Sequence, residues 1–73
     1  MNFPIIRHQL GEIVKYKGHL CRIESVEADI GSVCYGLVDL ESESPGYCYD
    51  AFQKQLEPLN TVDMMRINKE FSE

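Results

Sequence analysis

Residues 11–26 read GEIVKYKGHLCRIESV. Apolar and polar side chains alternate through 12–16, stop at Lys17-Gly18, and alternate again from His19. A period of two is the mark of a strand with one buried face. The glycine in the break accepts the positive φ that a tight turn demands. The stretch therefore predicts a β-hairpin with strands at 12–16 and 19–26. Val14, Tyr16, Cys21 and Ile23 point inward, and Ile13, Lys15, Arg22 and Glu24 point outward. Val26 falls out of phase with Ile23, which predicts a bulge or bend near Ser25.

Working outward from the hairpin, EADIGS at 27–32 reads as a polar loop. VCYGLVDL at 33–40 is a third strand, apolar on both sides and so expected at the centre of the sheet, with Gly36 marking a sharp bend. ESESPG at 41–46 reads as a turn, and its Glu41 and Glu43 as a solvated tip. YCYDA at 47–51 is a fourth strand, FQKQ a single helical turn, and LEPL at 56–59 a last edge strand. Ahead of the hairpin, NFPII is a short apolar lead-in in which Pro4 keeps Phe3 extended.

The chain changes character at residue 60. Asn60 can cap a helix, and Asp63 suits its first turn. Met64, Ile67 and Phe71 follow at spacings of three and four, one weak apolar stripe. A helix this short is marginal alone in water, so it must dock on the rest of the chain, dock on a partner, or fray. The organisation expected is a unit at 1–59 with its lead-in, then a C-terminal helix or flexible tail at 60–73.

Four short strands, a helical turn and a final short strand resemble the SH3-like small barrels, especially the KOW and Tudor kinds. The matching stretches are GEIVKYKGHLCRI, LVDLESESPG and QLEPL, within residues 11–59. The resemblance implies a mostly β fold, a small SH3-like antiparallel β-barrel of about five strands, here with a short C-terminal helix or arm. KOW domains are basic binders of nucleic acid or ribosomes, and Tudor domains hold methylated cations in aromatic cages. Such barrels host many unrelated roles.

Size and composition narrow the function. At 73 residues the chain uses nearly all its apolar side chains to fold, so a catalytic cleft is not expected. The opening MNFPIIRHQLGE lacks a basic segment followed by an apolar one, and no apolar run is long enough to span a bilayer. A soluble cytoplasmic protein is expected. Cys21, Cys34 and Cys48 are odd in number and sit in strand-like runs, which fits reduced thiols acting as small hydrophobes. His8, His19 and these cysteines contain no Cys-x-x-Cys pair. His19-x-Cys21 puts only two groups on one face, where structural zinc takes four ligands. No metal, cofactor or cysteine–histidine catalysis is expected.

Charge points to a partner. The formal net charge is −5, and residues 23–53 hold Glu24, Glu27, Asp29, Asp39, Glu41, Glu43 and Asp50 without one Lys or Arg. This predicts a non-enzymatic binding module or adaptor that meets a basic protein surface through acidic loops at 24–29 and 39–43 and exposed tyrosines. The candidate residues are Tyr35, Asp39, Glu41, Glu43, Tyr47, Tyr49, Asp50 and Phe52. The plainer reading of the aromatic residues is core. The tail stripe of Met64, Ile67 and Phe71 is a second docking candidate, or simply a lid. One alternative is a KOW-like nucleic-acid binder using Arg7, Lys15, Lys17 and Arg22. A related variant is an acidic protein that fills a nucleic-acid site on another protein. A further alternative is a structural, self-associating subunit.

Overall fold

A computed structural model of the chain describes residues 5–41 and 48–71. Strands β1 (Ile13–Tyr16), β2 (His19–Asp29), β3 (Ser32–Asp39) and β4 (Cys48–Phe52) form one antiparallel sheet in the order β1-β2-β3-β4. Among the described residues no helix is long and apolar enough to cross a membrane. The lead-in at Phe3-Pro4 and most of the expected turn at 41–46 lie outside the described residues.

The opening hairpin forms as its alternation requires. Lys17 (φ 50°) and Gly18 (φ 81°) both take left-handed backbone, the two-residue turn whose twist matches that of the flanking strands. Val14, Tyr16, Cys21 and Ile23 are buried. The register slips between Ile23 and Ser25, and Ser25 comes to face Gly36. A Cβ on Gly36 would lie 2.2 Å from Ser25 Oγ. Glycine at 36 therefore lets β3 pass across the bulge.

The bulge also explains a correction. Residues 27–32, expected as a loop, continue β2 to Asp29 and then turn at Ile30–Gly31. After the extra residue the alternation restarts in the opposite phase. Val26 packs against the core, while Glu27 and Asp29 face out. A strand whose outer face is acidic looks like a polar loop when the phase change is overlooked. β3 likewise has one buried face, not two: Val33, Tyr35, Leu37 and Asp39 are buried, with Cys34, Gly36 and Val38 partly covered between them.

The core consists of Val14, Tyr16, Cys21, Ile23, Val33, Tyr35, Leu37 and Ala51, with Val26, Tyr49 and Leu56 packed against it. Fully burying a Leu or Ile gives about 1.5–3 kcal/mol, so this cluster supplies most of the drive to fold.

The sheet is not closed into a barrel. The expected strand at 56–59 makes a single bridge, Glu57 to Lys15, with the Glu57 amide donating to the Lys15 carbonyl at 2.8 Å. The chain has little room for more. A 3₁₀ turn occupies Gln53–Gln55, and Asn60 already caps the next helix.

That helix, α1 (Thr61–Arg66), runs on into a π-helical turn at Ile67–Phe71. Asn60 Oδ1 accepts from the Asp63 amide at 2.8 Å, and Asp63 Oδ2 accepts from the Asn60 amide at 3.1 Å, a reciprocal cap of the kind the sequence suggests. The apolar stripe does not make a buried lid. Met64 is exposed, as are Val62 and Met65, while Ile67 and Phe71 are half-buried. Ion pairs attach the helix instead. Lys15 Nζ meets Asp63 Oδ2 at 3.1 Å, and an Arg66 guanidinium nitrogen meets Glu41 Oε2 at 2.8 Å.

Candidate partner-binding site

The strand alternation sorts the candidate residues into three groups. Tyr35 and Asp39 sit at inward positions of β3 and are 0% and 2% exposed. Neither offers its side chain to a partner, which corrects the expectation of a Tyr35-Asp39 binding surface. Tyr49 is inward on β4, half-buried, and stacks edge-on against Tyr16 with ring centroids 5.5 Å apart. Glu41 is partly covered and bonded to the Leu20 amide and Arg66 of its own chain. Asp50 and Phe52 are outward on β4 and exposed. Glu43 and Tyr47 lie outside the described residues.

Asp39 organises the end of the sheet. Its Oδ2 accepts from His19 Nδ1 at 2.7 Å and from the Tyr49 hydroxyl at 3.0 Å, and its Oδ1 from the Glu41 amide at 2.8 Å. Burial works against the charge. The bonds from His19, the Glu41 amide and Tyr49 outweigh it and hold the carboxyl below its ordinary value. His19, half-exposed, is pushed up chiefly by the hydrogen bond and charge of Asp39. Glu41 Oε1 accepts from the Leu20 amide at 2.6 Å while Oε2 holds Arg66. Leu20 is 1% exposed yet separate from the core cluster. It pairs with Lys15, the residue to which Glu57 and Asp63 are bonded. This end is an internal clasp for the C-terminal segment. Cys21, buried next to it, has its thiol pushed up to about 11 by burial first and by Asp39 and Glu41 second.

A second polar knot ties down the N-terminal segment. The Tyr35 hydroxyl donates to Gln53 Oε1 and accepts from the His8 amide at 3.2 Å. Gln53 also accepts from the Arg7 amide at 2.9 Å and donates to the Ile5 carbonyl at 2.9 Å. His8 Nδ1 bonds Glu12. No hydrophobic pattern signals Gln53, whose partners stand 18 to 48 positions away.

The outer face of β2, β3 and β4 is different. The register places Glu27, Cys34 and Phe52 in one row and Ser25, Gly36 and Asp50 in the next. Phe52 is 47% exposed. It borders two shallow depressions, lined also by Glu27, Asp29, Ser32 and Cys34 on one side and by Val33, Gln53 and Lys54 on the other. Glu24, Glu27, Asp29 and Asp50 are exposed here, and none makes an ion pair among the described residues. Asp29 Oδ1 accepts from the adjacent Ile30 amide at 2.7 Å, Glu57 accepts from the Gly18 amide, and Glu12, Asp39, Glu41, Asp63 and Glu70 are engaged by a histidine, Lys15 or Arg66.

Of the cations of the N-terminal third, Lys15 and Arg22 share the outward face of the β1–β2 pair, and the others lie apart. Arg7 is in the strapped N-terminal segment and Lys15 is bonded to Asp63. Lys17 lies over the Tyr16 ring at 5.4 Å, and Arg22 is on the outer face beside β1. Among the described residues no group of three or more His, Cys, Asp or Glu side chains is placed to hold a metal ion. Comparison with known protein families, curated proteins and solved structures finds no match to this chain.

Proposed function

We propose that the protein is a non-enzymatic binding module for a basic protein surface, and that the contact face is the outer side of β2, β3 and β4. One observation carries this reading. Glu24, Glu27, Asp29 and Asp50 make no ion pair among the described residues and are exposed on this face, with Glu27 and Asp29 lining a depression beside the exposed ring of Phe52 and Asp50 two residues from it on the same strand. The ring supplies apolar area to bury, and the acids supply attraction and choice of partner. Relative to the sequence expectation, the face moves from the 39–43 loop and the tyrosines to the sheet surface. Asp39, Glu41 and Tyr35 serve the fold. A nucleic-acid partner would need cations gathered on one surface, whereas Lys15 is committed to Asp63.

A labelled polylysine probe tests the reading by titration at about 50 and 300 mM salt. Binding should weaken steeply with salt. The variant Glu27→Lys/Asp29→Lys/Asp50→Lys should bind at least tenfold more weakly, because exposed pairs give up to about 1 kcal/mol each. Phe52→Ala should weaken an apolar-basic peptide but leave polylysine nearly unaffected. Equal affinity of the reversed variant and the parent protein would overturn the assignment.

A further inference from the structure

We infer that the partner is taken up as an extended basic segment, added as a fifth strand along the outer edge of β4 at Asp50, with a Lys or Arg against Asp50 and an apolar side chain against Phe52. This rests on the binding-module reading and specifies its partner.

The strand order leaves β1 and β4 at the two edges. The β1 edge is partly occupied, since the Glu57 amide bonds the Lys15 carbonyl, and the β4 edge is occupied at its end, where the Phe52 amide bonds Gln55 Oε1, but has no backbone bond at Asp50 beyond the sheet among the described residues. The β4 edge follows from the hydrogen-bond alternation. The Leu40 amide donates to the Leu20 carbonyl, so the even positions of β3 face β2 and the odd positions face β4. Tyr35 pairs with Ala51 and Leu37 with Tyr49, so Tyr49 and Ala51 bond to β3. The backbone groups of Asp50 and Phe52 then point to the open side. The Phe52 amide confirms that direction by donating to Gln55 Oε1 at 2.9 Å instead of to β3. Asp50 stands at the centre of the strand with its amide and carbonyl directed outward.

Charge selects the occupant. Two copies joined edge to edge by antiparallel β4 strands centred on Asp50 would set Asp50 against Asp50, and like charges directly opposite are destabilising. The same carboxylate favours a cation on an incoming strand, and Glu27 lies two strands in on the same face. Strand addition takes its affinity from main-chain bonds and its specificity from alternate side chains. With five residues in β4, the recognised pattern is short: a cation opposite Asp50, and an apolar residue two positions away against Phe52.

The test uses an end-blocked octapeptide of alternating Lys and Val, the same peptide with every backbone amide N-methylated, and the full chain. The unmodified peptide should bind and slow hydrogen exchange of the Asp50 amide at least tenfold. The methylated peptide, equal in charge, should bind at least tenfold more weakly. Asp50→Lys should lose the Lys-Val peptide and gain an alternating Glu-Val one. Equal binding of methylated and unmodified peptides without protection at Asp50 would overturn strand addition while leaving the acidic face standing. A salt-resistant dimer protected at Asp50 without peptide would replace the basic strand with a second copy and overturn the inference. Failure of both peptides, together with polylysine binding indifferent to the triple reversal, would remove the acidic face and this inference together.

Discussion

The end of the sheet and its outer face use carboxylates in opposite ways. At the end, Asp39, Glu41 and Asp63 are covered, bonded and aimed at other parts of the same chain. On the outer face, Glu24, Glu27, Asp29 and Asp50 are exposed and make no ion pair among the described residues. Apart from Asp63, both sets belong to one acidic stretch of sequence, residues 23–53. The difference lies in strand phase. Asp39 occupies an inward position of β3, where an unpartnered carboxylate would be too costly to keep. The bulge at Ser25 turns Glu27 and Asp29 outward, where charge costs little. Acidity alone does not tell which carboxylates serve the fold and which face water; the side of the pleat does.

The contrast breaks if stability responds alike to changes in both sets. Asp39→Ala should cost about 3 kcal/mol, because it strands His19, the Tyr49 hydroxyl and the Glu41 amide at once. Glu27→Lys/Asp29→Lys/Asp50→Lys should stay within about 0.5 kcal/mol of the parent. Urea unfolding measures both, and similar midpoints would end the distinction. Tyr35→Phe, which cuts the knot with Gln53 and His8 while keeping the ring, should cost about 1–2 kcal/mol.

Solution pH sharpens the contrast further. Asp39 and Asp63 are both held below their ordinary carboxyl value of 3.8. They support the fold above that value and lose this support as pH falls through their folded values. His19 is raised above its ordinary 6.5. It supports the fold below 6.5 and loses that support as pH rises through its folded value. The melting temperature should therefore be highest between about pH 4 and 6.5. His19→Gln should flatten the decline above that window, and an unchanged profile would separate His19 from the clasp. The smallest effect is chemical. With its thiol pushed up to about 11, Cys21 should resist alkylation at pH 8 until the protein unfolds. Exposed Cys48 should react in the native state.

Much of this was legible in the chain. The Lys17-Gly18 turn, the inward set Val14, Tyr16, Cys21 and Ile23, the irregularity at Ser25 and the Asn60 cap all depend on neighbours a few residues apart. Strand phase beyond the bulge was harder, because one inserted residue reverses the meaning of every later position and made 27–32 look like a loop. Which candidate residues reach the surface was only half readable. Asp50 and Phe52 stand outward and exposed, but Tyr35 and Asp39 are buried. An alternating pattern says that two residues share a face without saying which face meets water.

By itself the sequence determined the hairpin, the four strands, the helix cap and the acidic bias of residues 23–53. Local backbone preference and the period-two pattern suffice for these. The tertiary structure decided that the sheet stays open, with one Glu57–Lys15 bridge where a fifth strand was expected. It decided that ion pairs, not an apolar lid, anchor the tail. It also divided the acids into those that hold the fold and those left facing water. Those outcomes turn on pairings such as His19 with Asp39 and Lys15 with Asp63, 20 and 48 residues apart. Hydrogen bonds and ion pairs act over a few ångströms, and only the folded chain brings such distant residues within that range.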